Sequence, residues 1–212
     1  MYLSLLKLNP SLRETKEMLI NPYTLHQAVY RVFPDESDGG PGRVLYRIDW
    51  NQRSGTISLL VQSEKAPDWT KANYLGECLL EKAEFKPFAP RIMDGQRLYF
   101  RLRANPSVKK QAEGKKNGYR MGLLREVDQL KWLHKKAEES GFTVVTCQAM
   151  PEGIIHDERG QEDRGKLRHY AVRFEGMIKV VNPDIFTTTL NNGIGSAKGF
   201  GFGLLSIAPV KG

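Results

Sequence analysis

Tyr23 and His26 lie three residues apart just after Asn21-Pro22, a spacing that places both side chains on roughly one face of a helix. Imidazole exchanges protons near neutral pH, and a phenol can donate a hydrogen bond or orient a neighbour. Together they suit general acid–base chemistry. A helix N-terminus also offers unpaired N–H groups and the positive end of the helix dipole, which suits a phosphate and favours a neutral imidazole. The same pattern occurs on ordinary helices whose Tyr and His serve only packing or solubility, so spacing alone leaves the pair a candidate.

The other histidines, His134, His156 and His169, show no metal-ligand spacing with one another. Cys78 and Cys147 form no CxxC motif and imply neither a zinc site nor a disulfide scaffold. No metal and no cofactor is expected. The two thiols fit a reducing, cytoplasmic setting. Residues 193–203 read Gly-Ile-Gly-Ser-Ala-Lys-Gly-Phe-Gly-Phe-Gly, a glycine-rich loop whose N–H groups can approach a phosphate beside Lys198. Gly-Lys-Ser/Thr is missing, which excludes a P-loop. Lys198-Gly-Phe-Gly-Phe202 matches only the first half of the RNA-recognition-motif signature, because Gly203 and Leu205 break the second.

The formal charge of +8 over 212 residues is segregated. Residues 1–90 carry eleven basic and eleven acidic side chains, whereas residues 91–212 carry twenty-one and thirteen. Residues 97–136 hold twelve basic and three acidic side chains, a footprint suited to a polyanion or simply a solvated basic face. No stretch approaches the roughly 20 apolar residues of a membrane span, and the first ten residues do not form a secretory leader. A membrane location is not expected.

The elements that must position these residues repeat one pattern. Alternation predicts a strand over residues 2–8, and Asn21-Pro22 opens a helix to about residue 33. Strands follow over 44–50 and 56–61, then a short helix over 67–75 and a strand over 78–85. This β-α-β-β-α-β order is the ferredoxin-like unit. A linker containing Pro87 and Pro90 separates it from a second round: a strand over 97–103, a basic loop over 106–118 and a helix over 123–140. Strands over 142–149, 167–174 and 177–181, a helix over 183–190 and a strand over 204–208 complete it. The helix over 123–140 carries an apolar stripe of Leu123, Val127, Leu130, Leu133 and Ala137. The expected class is α+β, with two tandem ferredoxin-like, RRM-like domains. Residues 1–85 form a domain with Tyr23 and His26, 86–96 a linker, and 97–212 a domain with the basic surface and the glycine-rich loop.

Three ordered segments carry a resemblance: Asn21-Pro-Tyr-Thr-Leu-His26, Phe100-Arg-Leu-Arg-Ala-Asn-Pro106, and Gly193-Ile-Gly-Ser-Ala-Lys198 through Gly203-Leu-Leu-Ser-Ile-Ala-Pro209. Phe174-Glu-Gly176 adds to them. The chain resembles the CasE family, the CRISPR repeat endoribonucleases of type I-E systems, over essentially its whole length. The resemblance implies tandem ferredoxin-like domains and metal-independent cleavage of CRISPR precursor RNA at the 3′ base of the repeat hairpin. The 2′-OH attacks the scissile phosphate, leaving a 2′,3′-cyclic phosphate and a 5′-OH.

The same resemblance implies that His26 is the general acid or base and that Tyr23 orients the 2′-OH or shares proton transfer. A basic group stabilises the phosphate, with Lys166 and Lys198 as candidates. Arg101 or Arg103 can grip the backbone. Lys109, Lys110, Lys115, Lys116 and Arg120, in or beside the loop over 106–118, can meet the stem, with Arg125 within reach at the helix start. The implied partners are the repeat hairpin, as precursor and as retained mature RNA, and the other subunits of the surveillance complex. A rival reading of the same fold is a non-catalytic RNA-binding scaffold, and only Tyr23 and His26 separate the two. The acidic residues among 157–165 fit an RNA-gripping loop poorly.

Overall fold

A computed structural model of the chain describes residues 1–111, 119–157 and 167–210. The chain divides into two compact units. The first comprises Met1–Arg91, His156–Leu167 and Lys198–Leu204; the second comprises Ile92–Ile155, Arg168–Ala197 and Leu205–Gly212.

In the first unit, β1 (Tyr2–Leu8) is followed by α1 (Arg13–Ile20), α2 (Pro22–Tyr30), β2 (Val44–Asn51), β3 (Thr56–Ser63), α3 (Tyr74–Glu77) and β4 (Phe85–Pro87). The strands form one antiparallel sheet in the order β2-β3-β1-β4. That is the strand order of a ferredoxin-like fold. One sheet face, with Leu6, Leu8, Tyr46, Leu59 and Val61, buries against Met18 of α1, Leu25 and Val29 of α2, and Leu75 of α3. The alternation of β1 is the reason: Ser4, Leu6 and Leu8 point inward while Leu5 and Lys7 point out.

The second unit repeats the plan with an insertion. β5 (Arg97–Ala104) leads into a two-stranded hairpin, β6 (Ser107–Lys110) with β7 (Tyr119–Gly122). Then come α4 (Glu126–Glu139), β8 (Phe142–Asp157), β9 (Leu167–Val180), α5 (Pro183–Asn192) and β10 (Leu205–Pro209). The sheet order β10-β5-β9-β8 is again ferredoxin-like, so the fold is α+β with two tandem ferredoxin-like units. Its core is formed by Leu98, Phe100 and Leu102 of β5, Phe174 of β9, Leu133 of α4 and Phe186 of α5.

Several local expectations are corrected. Residues 13–20, to which the sequence assigned no element, form a helix supported by the Arg13–Glu17 ion pair at i,i+4, with only Thr15 and Met18 buried. The fourth strand is Phe85–Pro87 rather than residues 78–85; residues 78–80 meet the end of β1 and Asn9 through the Leu8–Leu79 bridge, with Asn9 N–H donating to the Cys78 carbonyl and Leu80 N–H to that of Lys7. The stretch expected to be a loop over 106–118 begins as strand β6. Strands 167–174 and 177–181 are one strand, β9, and β8 runs on to Asp157. Helix α4 begins at Glu126 instead of residue 123, and its buried row is Gln129, Leu133 and Ala137, leaving Val127 exposed. The side-chain nitrogen of buried Gln129 donates to the carbonyls of Leu123 and Leu124 at 3.0 and 3.2 Å, while its buried Oε1 has no hydrogen-bond partner among the described residues. Among the described residues, no helix is long and apolar enough to cross a membrane.

Candidate active site and RNA-binding surface

Asn21 is the joint between the first unit's two consecutive helices. Its backbone N–H donates to Glu17 O at 3.0 Å and closes α1, while its side-chain oxygen accepts from the N–H groups of Tyr23 (3.0 Å) and Thr24 (3.3 Å) and opens α2. Pro22 occupies the first turn, where no N–H is needed. Tyr23 and His26 are thereby fixed in the first turns of α2. Tyr23 stands exposed, and His26 is half-buried between two neighbours.

One neighbour is Tyr30, one turn further along α2, whose ring lies 4.1 Å from that of His26 at 41°. Burial pushes the Tyr30 phenol up from its ordinary range, partly offset by Arg43. The other is Gly199: a Cβ built there would stand 3.5 Å from Cε1 and Nδ1 of His26. His26 Nδ1 is buried.

Gly199 lies in a 3-10 turn, Lys198–Phe200, that belongs to the first unit and packs on α2 and β2. This stretch of the glycine-rich loop thus places Lys198 next in sequence to the glycine that touches His26. Phe202 is fully buried and Phe200 half-buried, so Lys198-Gly-Phe-Gly-Phe202 does not present two aromatics for base stacking. Lys166 lies outside the described residues, as do Lys115, Lys116 and residues 158–165 of the charged stretch.

In the second unit, Lys109 and Arg120 are Cα partners across the β6–β7 hairpin, and both are exposed, as is Lys110. Like charges placed opposite each other weaken a two-stranded ribbon, and a polyanion relieves the repulsion. Arg101 and Arg103 occupy a different environment on the outward face of the sheet. Arg101 Nε lies 2.5 Å from Glu175, and Arg103 Nε lies 2.6 Å from Glu152. Arg173 links the two carboxylates at 3.4 and 3.5 Å. Arg125, at the N-cap of α4, pairs with Asp128 at 2.7 Å. Sequence reading missed these carboxylates as partners because they come from strands 49 to 74 residues away from Arg101 and Arg103. It also missed Tyr30, although its i,i+4 spacing from His26 was there to be read.

A family model described as "CRISPR associated protein" matches residues 1–209. The chain belongs to this family. CRISPR-associated endoribonuclease Cse3 of Thermus thermophilus is 35% identical over 99% of this chain and all of its own length. A solved structure of Thermus thermophilus Cse3, bound to an RNA representing a pre-cleavage complex, is similar with a TM-score of 0.78. The two are 33% identical over 98% of each chain. CRISPR system Cascade subunit CasE of Escherichia coli is 28% identical over 89% of this chain and 92% of its own. Membership of the family therefore extends across both ferredoxin-like units, including the segments that carry His26 and Lys198.

Proposed function

We propose that this CRISPR-associated protein is an endoribonuclease that cleaves CRISPR precursor RNA at the 3′ base of its repeat hairpin and retains the product. The observation that carries the reading is the pinned His26. Its ring is set at a capped helix N-terminus between Tyr30 and Gly199, with Nδ1 sealed and Lys198 on the adjoining turn. Similarity to endoribonuclease Cse3 along the whole chain supports it.

The 2′-oxygen forms a bond to phosphorus while the bond to the 5′-oxygen breaks. The 2′-OH loses its proton and the 5′-oxygen gains one, leaving a 2′,3′-cyclic phosphate and a 5′-OH. His26 Nε2 performs one of these transfers and Tyr23 orients the 2′-OH or shares in them. Lys198 or Lys166 supplies positive charge to the phosphate as a point cation. The N-terminal unit carries this chemistry, and the C-terminal unit grips the stem through Lys109, Lys110 and Arg120. The protein then works in the cytoplasm as a subunit of a larger CRISPR complex; its Escherichia coli relative is named as a subunit of Cascade.

The test is cleavage of the cognate repeat RNA in EDTA by wild type and His26→Ala. Wild type cleaves, and the variant binds without cutting. Cleavage by His26→Ala at the wild-type rate would refute the assignment. A substrate with sulfur in place of the bridging 5′-oxygen needs no acid, so it restores His26→Ala only if His26 is the acid.

A further inference from the structure

The proposed site residues that fall among the described ones, Tyr23, His26 and Lys198, lie on α2 or in the glycine-rich turn, yet the turn is held from elsewhere. Tyr46 on β2 is 1% exposed and belongs to the core of the first unit. Its hydroxyl is the core's polar tip, and it donates to the carbonyl of Gly199 at 2.6 Å, 153 residues away in sequence. The next residue, Arg47, points to the opposite face of the sheet and is 3% exposed. Its guanidinium is held by both carboxylate oxygens of Asp49 at 2.9 Å and donates to the carbonyl of Leu204 at 3.4 Å.

β2 is an edge strand of its sheet, so these two adjacent side chains grasp the segment at two carbonyls, one on each face of the edge. Between the two anchors lie Gly201 and Gly203, with φ of +77° and +88°, conformations that L side chains rarely adopt. Glycines alone leave such a segment loosely specified, because each adds conformational freedom that must be lost on ordering. The anchoring bonds supply what the glycines lack. Of the two, only the Tyr46 bond falls on the residue that packs against the His26 ring.

We infer that Tyr46 is a positioning residue for cleavage: by holding the Gly199 carbonyl it fixes the turn against His26 and sets both the imidazole and Lys198 for the phosphate. This rests on the functional reading above. A core tyrosine that only filled space would need no hydroxyl, and phenylalanine would serve there. A hydroxyl that positions a catalytic group affects the chemical step, where small misplacements are expensive.

Tyr46→Phe keeps the ring and removes the donor. The expected result is a single-turnover cleavage rate lowered roughly 10- to 100-fold, with the Kd for repeat RNA unchanged and the pH–rate profile displaced. Incorporating 3-fluorotyrosine at position 46 keeps the donor and restores the rate. A wild-type rate and pH profile for Tyr46→Phe would overturn the inference, as would a loss explained wholly by weaker RNA binding, or failure of 3-fluorotyrosine to restore. If Tyr46→Phe does not fold, Gly199→Val tests the other half of the arrangement, the packing of the turn against the His26 ring. It is expected to slow cleavage at unchanged Kd, and a wild-type rate would equally overturn the inference. His26→Ala run alongside separates the two levels: its full activity would remove the functional reading itself, whereas an inactive His26→Ala beside a fully active Tyr46→Phe removes only the role of Tyr46.

Discussion

Gly176 on β9 sits against the backbone of β8 so closely that a Cβ at this position would collide with the carbonyl of Thr146 and stand 2.9 Å from Cys147 Cα. A glycine within a strand often marks such a close approach of another backbone. The three nearest atoms are all backbone of β8, so no rotamer change can relieve the clash. Gly176→Ala is expected to destabilise the second unit by about 1–3 kcal/mol, read as a lowered Tm for the melting of that unit by calorimetry. An unchanged Tm would show that the strands separate freely there.

Asn21 offers a way to separate stability from chemistry at the active helix. Its side chain satisfies the N–H groups of Tyr23 and Thr24, and loss of such a cap costs about 1 kcal/mol. Asn21→Ala is expected to lower both stability and cleavage. Asn21→Asp keeps the cap, since the two residues cap equally well, but sets a negative charge beside a site that receives phosphate. Denaturation should therefore show Asn21→Asp near wild type while its cleavage rate falls. Wild-type cleavage by Asn21→Asp would mean that the phosphate does not approach this helix end.

The fold was legible in the sequence where periodicity is local. The strands at 2–8 and 97–104 follow plain alternation, and Asn21-Pro22 marked the start of α2. Helix α1 was not legible, because Arg-Glu-Thr-Lys-Glu-Met-Leu-Ile buries only two side chains and so shows no apolar stripe. Of the site, Tyr23 and His26 were visible as types at a spacing. That Gly199 would reach His26, and Tyr46 reach Gly199, depends on contacts 173 and 153 residues apart, which no local pattern encodes. For Arg101 and Arg103 the sequence showed a basic face and hid the carboxylates that register across strands brings to it.

The two cysteines should be chemically silent in the native protein. Burial pushes the Cys147 thiol up to about 11, and it raises Cys78, which is fully buried, as well. The thiolate is the reactive form, so at pH 8 only on the order of a thousandth of Cys147 is reactive. Iodoacetamide at pH 8 is expected to leave both residues unmodified by intact mass and to modify both in guanidinium. Raising the pH toward 10 should speed modification of Cys147, because deprotonation moves it toward its folded pKa. Rapid native labelling at pH 8 would contradict the burial of Cys78 or the raised thiol of half-buried Cys147.

Salt dependence distinguishes the cations that meet RNA from those that brace the sheet. Each phosphate neutralised releases counterions, so losing one contact lowers the slope of log K against log salt by roughly 0.7–0.9. Lys109 and Arg120 are exposed and face each other across the hairpin. Arg103 is 11% exposed and already neutralised by Glu152 at 2.6 Å, with Arg173 sharing the same carboxylate. Lys109→Ala and Arg120→Ala are therefore each expected to lower the slope by about one phosphate while leaving stability near wild type. Arg103→Ala should barely change the slope but should lower stability, because it strands Glu152 beside a single remaining arginine. Glu152→Gln completes the comparison. If Arg103 is available to RNA once released, this variant tightens binding and steepens the slope; if the arginine is a brace only, binding stays unchanged and stability falls. An Arg103→Ala slope reduced as much as that of Lys109→Ala would place the outward face of the second sheet on the RNA.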